Sequence, residues 1–207
     1  LFTSKLTSTV PCSVITIKFS DDTQSYFVVG TAHVLRTEPE PTKGRLLVFK
    51  VVPGSGKLAL VTEKEVKGAV YSMDELGGKL LASINSKVHI FSWSEAQGAE
   101  TKYSKSLIAH CEHQGHILAL KVAAIGDFIA VGDLMKSVSL LAYKSVEQRI
   151  EEVARDYQPG WVSSLIPLSD EIFLVAENAF NMFSLSKNSE AESDEERGRL
   201  LLTGEYH

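Results

Sequence analysis

Short apolar runs separated by turns recur along this chain at a regular interval. The first run of each unit is Phe27-Val28-Val29-Gly30, Leu80-Leu81-Ala82-Ser83, Phe128-Ile129-Ala130-Val131 and Phe173-Leu174-Val175-Ala176, with starts 53, 48 and 45 residues apart. A second run follows in step at Leu46-Leu47-Val48-Phe49, Val88-His89-Ile90-Phe91, Val138-Ser139-Leu140-Leu141 and Phe180-Asn181-Met182-Phe183. A repeat of about 40 to 50 residues built from short strands predicts β-propeller blades, because one four-stranded sheet cannot bury both of its faces alone. The expected fold is all-β: about four four-stranded antiparallel blades of an incomplete seven-bladed propeller. Residues 1–207 would form part of one such domain, with blades at about 14–66, 69–111, 116–156 and 161–207.

In the second unit the pattern places strands at 69–76, 79–85, 87–93 and about 102–111; in the third, at 116–123, 127–133, 137–144 and 149–156. Gly77-Gly78 supplies the positive backbone angles of a tight hairpin, and Asn85-Ser86 marks the next reversal. The second strand of each unit is a continuous apolar run, as expected of a strand covered on both faces. The fourth is more polar, and Glu63-Lys64-Glu65 and Arg149, Glu151 and Glu152 suit a charged outer edge. Two stretches break the rhythm. Residues 38–44 form a proline-rich polar loop between the second and third strands, and residues 186–198 form an acidic loop that is expected to be mobile. Ser189 and Ser193 lie among its carboxylates as candidates for phosphorylation, against the plainer reading of a solvated loop.

Composition narrows the function. A net charge of −5 disfavours broad phosphate binding, so direct nucleic-acid binding is not expected. The apolar stretches are too short and too interrupted for a membrane span or signal peptide, and Cys12 and Cys111 lack a disulfide spacing, so the sequence reads as soluble, intracellular and without membrane partners. A chain starting at Leu1 and holding four blades reads as a fragment, with outer faces near Phe27 and Phe173 left uncovered.

Candidate chemistry is thin. His110, Cys111, Glu112, His113 and His116 crowd one segment, but structural zinc takes two separated ligand pairs and no second pair is present; no metal and no cofactor is expected. Nucleophile-elbow and Walker motifs are absent, the paired acids Asp21-Asp22 and 194–196 fall in turns, and no catalytic residue is assigned. What stands out is costly apolar surface in turns. Leu134 and Met135 sit between two strands, and Arg155, Tyr157 and Trp161 surround Pro159-Gly160. Trp, Tyr and Arg are enriched in interface hot spots. The competing reading is blade-to-blade packing, with Trp161 in the core and Arg155 paired to Asp156 or a neighbour.

Several long strings carry a family resemblance: GRLLVF at 44–49, EKEVKGAVYSM at 63–73, GKLLASIN at 78–85, GDFIAVGDLM at 126–135, ARD at 154–156 and AENAFN at 176–181. From about Tyr26 to His207 the chain resembles the third-propeller region of the damage-specific DNA-binding protein 1 family, three-propeller adaptors of cullin-4 RING ubiquitin ligases; the first 25 residues match poorly. The resemblance implies a non-catalytic scaffold in DNA repair and protein ubiquitination, placed in nucleus and cytoplasm. Substrate-receptor proteins would insert a helix between the first and third propellers, another propeller would hold cullin-4, and DNA would be met only through a receptor. Positions matching the receptor-contacting surface are Ala32, Val34, Leu118, Leu120, Leu134, Lys136, Arg155 and Trp161. Lys136 stands where the family has arginine, keeping charge but losing bidentate pairing, and Lys121 stands where an aromatic is expected. The alternatives are a related propeller subunit of splicing or mRNA 3′-end processing complexes and, from another class, a propeller enzyme or lectin using its central channel.

Overall fold

The structure, a computed structural model, describes residues 9–20, 22–95 and 105–206; Asp21, His207 and the expected start of the eighth strand at Lys102 lie outside them. Among the described residues sixteen strands form four sheets of four. Blade 1 holds β1 (Thr9–Lys18), β2 (Ser25–His33), β3 (Gly44–Val51) and β4 (Leu58–Val66); blade 2 holds β5 (Val70–Leu76), β6 (Lys79–Ile84), β7 (Lys87–Glu95) and β8 (Lys105–Gln114). Blade 3 holds β9 (Ala119–Ile125), β10 (Phe128–Asp133), β11 (Val138–Lys144) and β12 (Arg149–Arg155); blade 4 holds β13 (Val162–Pro167), β14 (Ile172–Glu177), β15 (Met182–Lys187) and β16 (Leu200–Tyr206). Every sheet is an antiparallel meander with strands paired in chain order.

The repeat reaches below the hydrophobic pattern. Each first strand carries a β-bulge at the same register, leaving Cys12, Tyr71, Leu120 and Ser163 without a cross-strand partner. A second set of bulges recurs in the fourth strands at Val61, His110, Val153 and Thr203. A bulge bends its strand and increases local twist. Two at fixed positions give all four sheets a common bend, which lets them stack in series.

Burial follows from the stacking. Three clusters fill the three seams: Ile17, Phe19, Val28, Leu80 and Trp93 between blades 1 and 2; Leu81, Ile90, Val122, Ile129 and Leu141 between blades 2 and 3; Ala130, Leu140, Val162, Phe173 and Leu185 between blades 3 and 4. The central second strands, β6 and β10, are buried at every position but their first residue, which fits a strand covered on both faces. In the terminal blades β2 and β14 alternate instead, so Phe173 points into the seam and Ile172 and Leu174 face out. The expectation of an uncovered face near Phe173 therefore moves by one residue, as the period of two along a strand requires. Two glycines set the spacing: a Cβ on Gly30 would meet Val70 of blade 2 at 2.6 Å, and one on Gly132 would meet Val162 of blade 4 at 2.4 Å.

At the end where the first strands finish, a polar clamp locks blade 1 to blade 2. Asp22 accepts bonds from Tyr26 Oη at 2.6 Å and Trp93 Nε1 at 3.4 Å, and pairs with the Lys105 ammonium. Trp93 stacks on Phe19 with ring centroids 4.7 Å apart. The lysine and tyrosine hydrogen bonds hold the Asp22 carboxyl well below the usual carboxylate range.

Two expectations are corrected. The acidic stretch does not remain an irregular loop: a one-turn helix, α1 (Asp194–Arg197), forms within it, capped by Ser193 Oγ on the Glu196 N–H. Ion pairs from Arg197 to Asp194 and from Arg199 to Glu195 span three and four positions, and Arg197 also binds the Ala191 and Glu192 carbonyls. Cap and local ion pairs shape one turn of helix within a segment that stays exposed, as composition reads it. Phe180, read as the start of a strand, lies in a turn at φ 68° and is 95% exposed; the strand begins at Met182.

Candidate functional site

One end of the blade array, where first strands start and second strands turn into third, carries all eight residues singled out from the sequence. Its organisation centres on Asp133, the last residue of β10, which is 4% exposed. One carboxylate oxygen accepts the Ile117 and Leu118 N–H groups at 2.9 and 3.0 Å, and the other accepts those of Met135 and Lys136 at 2.9 and 3.0 Å. The entry to β9 and the β10–β11 turn are thereby fastened to one side chain, and Leu134 N donates to Leu118 O at 3.0 Å. Asp133 thereby fixes the backbone that carries Leu118, Leu134, Met135 and Lys136.

Blade 4 joins through Ser137, a buried residue at φ 54° whose N–H donates to Gly160 O and whose hydroxyl donates to Asp156 Oδ2 at 2.7 Å. A parallel bridge between Lys136 and Gly160 sets Trp161 beside the β10–β11 turn, and Asn178 N donates to Trp161 O at 2.9 Å, bringing in the β14–β15 turn with Phe180. Trp161 is 50% exposed and belongs to no core cluster, so its reading as core is set aside.

The structure thus brings exposed Lys136 and Trp161 together with Leu118 and Leu134, which are half-buried, as is Leu120 at the bulge of β9. Arg155 stands apart on the outer strand β12. Its guanidinium binds Glu152 Oε1 through Nε and Nη2, each at 2.6 Å, and lies 5.6 Å from the centre of the Tyr157 ring. Its pairing to Asp156 does not occur; Asp156 is engaged by Ser137 and by the Gln158 N–H. Arg199 covers the same ring at 5.4 Å and Arg155 N donates to Gly198 O, so the acidic segment seats against this arginine. Ala32 and Val34 lie two blades away on blade 1, and only Val34 is exposed, Ala32 being buried. Sequence reading missed Phe180, which its apolar neighbours disguised as strand, and Asp133, whose role depends on four backbone groups that no local pattern reveals.

The crowded His and Cys segment disperses along and beyond β8. Cys111 packs against the seam of blades 2 and 3, Glu112 binds Lys87 at 2.6 Å, and His116 Nε2 lies 3.3 Å from Glu152 Oε2 outside hydrogen-bonding geometry. Among the described residues no three potential ligands converge on a metal position. Burial pushes both cysteine thiols up, and neither forms a disulfide. Among the described residues no helix is long and apolar enough to cross a membrane.

Comparison with known proteins places this geometry. The family model described as the CPSF A subunit region matches residues 7–207. The chain is 54% identical over 196 residues to DNA damage-binding protein 1 of Oryza sativa subsp. japonica, covering 95% of this chain and 17% of that protein. DNA damage-binding protein 1 of Solanum lycopersicum is 53% identical and DNA damage-binding protein 1b of Arabidopsis thaliana 52% identical, each over 95% of this chain and 18% of the relative. The chain spans less than a fifth of the length of these relatives. The match reaches further towards the N-terminus than the strings beginning near Tyr26 implied. The chain belongs to the CPSF A subunit region family.

Proposed function

We propose that this member of the family is a non-catalytic docking wall, the third-propeller part of an adaptor that links substrate receptors to a cullin-4 RING ubiquitin ligase in DNA repair and protein ubiquitination. The observation that carries the reading is the Asp133-centred surface. Leu118, Leu134, Met135, Trp161 and Phe180 are held at one end of blades 3 and 4 by backbone anchors, with Lys136 beside them. Aromatic and aliphatic side chains on a rigid frame bury area at low entropic cost, which suits a groove for an amphipathic helix. Lys136 fixes the helix register by charge. The wall belongs to the nuclear and cytoplasmic pools of the adaptor, cullin-4 binds elsewhere on the full-length protein, and DNA is reached through the receptor. Relatives named DNA damage-binding protein 1 favour this reading over a role in mRNA processing.

The test replaces Trp161 by Ala and Lys136 by Glu, separately, in the full-length protein. Truncating a hot-spot residue costs on the order of 2 kcal/mol, about a thirtyfold loss of affinity. Receptor capture falls by that order while cullin binding and melting are unchanged. Parallel loss of receptor binding, cullin binding and stability assigns the residues to the blade scaffold instead.

A further inference from the structure

A groove at the same end of blade 1 carries charge opposite to that of the whole chain. Its lining includes His33, Lys43, Arg45 and Lys67 around Thr31 and Gly44, with Glu65 as the one carboxylate, on a chain of net charge −5. The wall is fixed by one backbone bond and two side-chain bonds. His33 N donates to Lys43 O at 2.8 Å, Asn85 Nδ2 donates to Pro41 O at 2.9 Å, and Thr42 Oγ1 donates to Glu38 at 3.0 Å. The proline-rich segment is therefore a firm rim. Arg45 is shared loosely between Glu63 at 3.9 Å and Glu65 at 3.8 Å. Lys43 and Lys67 are exposed, and among the described residues neither ammonium has a hydrogen bond or ion pair.

We propose that this groove docks an acidic peptide segment, a run of Asp and Glu side chains in a partner protein. Lys43 on the rim and Lys67 after β4, whose charge also acts on Glu112, attract carboxylates without first breaking a hydrogen bond or contact ion pair. A nucleic acid fits less well. The groove lining holds no Phe, Tyr or Trp, the broad rings on which successive bases stack, and His33 is its one aromatic side chain. Val34, 48% exposed, follows His33 directly, so the groove runs on from the blade 1 end of the docking wall. Its residues differ from the helix-binding set, so the two proposals stand or fall separately.

The experiment uses the full-length protein and a fluorescent twelve-residue peptide of alternating Glu and Ser, read by anisotropy at low salt. Lys43→Glu with Lys67→Glu weakens binding about tenfold or more, because two attractive contacts become repulsive. Added salt weakens the native complex, and Trp161→Ala leaves it unchanged. Melting is unaffected by the pair; should the reversals disturb folding, Lys43→Gln with Lys67→Gln gives the same readout. Unchanged affinity in the double variant overturns the proposal. So does an oligothymidylate of equal charge binding as tightly as the peptide, since the groove would then be a general anion patch.

Discussion

The carboxylate of Asp133 accepts the backbone N–H of Leu118 at 3.0 Å, joining the end of β10 to the residue just before β9. Its other oxygen holds Lys136 N, so two segments that bear candidate docking residues share one buried anion. Asp133→Asn would turn one acceptor into an NH2 group facing N–H donors. Leaving buried donors unsatisfied costs about 1–3 kcal/mol. The expected outcome is a drop in melting temperature together with a loss of receptor capture larger than the stability change explains. Denaturant titration alongside binding by the same samples separates the two effects.

Asp22 makes stability depend on acid. Its folded carboxyl is held far below the ordinary value by the Lys105 and Tyr26 hydrogen bonds. A depressed folded value contributes stability that is fully present above the unfolded carboxylate pKa of about 4 and is lost as pH falls through the folded value. Lys105, raised by its bond to Asp22, contributes stability present below the ordinary lysine value and lost as pH rises through its folded one. Urea midpoints measured from pH 7 down to pH 2 should converge for the native chain and Asp22→Asn. A constant gap across that range would mean that the clamp titrates no differently from an unfolded chain.

The contact between Gly132 and Val162 gives a packing test at the blade 3–blade 4 seam. Gly132→Ala places a methyl group 2.4 Å from a Val162 methyl, and overpacking of this kind costs about 1–3 kcal/mol. Val162→Ala alone leaves a cavity, whereas the double variant partly fills it and removes the 2.4 Å contact, leaving the residue 162 Cβ at 2.9 Å. A double-mutant cycle should therefore return a favourable coupling energy. Additive losses would place the strain somewhere other than this contact.

The blade plan was legible from short continuous apolar runs that recur along the chain and from turn pairs such as Gly77-Gly78, which adopt φ 54° and 73°. The strand edges drifted where bulges and caps decide them. β9 begins at Ala119 because the N–H groups of Ile117 and Leu118 are tied to Asp133 rather than to a neighbouring strand. The exposure of Met135 and Trp161 at one end was readable from the turns that hold them. For Arg155 the packing alternative named Asp156 or a neighbour as its partner, and the structure gives the neighbour Glu152, three residues back across the bulge at Val153.

Order in the acidic segment rests on Ser193. Removing its hydroxyl leaves the Glu196 N–H without a partner and costs about 0.5–2 kcal/mol locally. Because α1 buries no residue, Ser193→Ala should raise amide exchange across 194–199 while the global melting temperature stays put. A global loss of stability would mean that the seat of Gly198 on Arg155 belongs to the cooperative core.

The two end faces of the array make the remaining prediction. On blade 1, Val14 is 71% exposed and Leu58 is 52% exposed, beside half-buried Phe27, Val29, Leu47 and Phe49; on blade 4, Ile166 and Tyr206 are 55% and 71% exposed. Largest apolar patches on monomeric proteins span about 300–600 Å², and larger ones associate. The 207-residue chain by itself should sediment as a concentration-dependent oligomer. Val14→Glu with Leu58→Glu should shift it towards monomer with little loss of stability, because exposed positions typically change stability by only about 0.5 kcal/mol. In the full-length protein the same pair should instead be destabilising, since a neighbouring blade would have to accept two charges in an apolar seam. A chain that is monomeric at every concentration and melts cooperatively would show that these faces do not need covering.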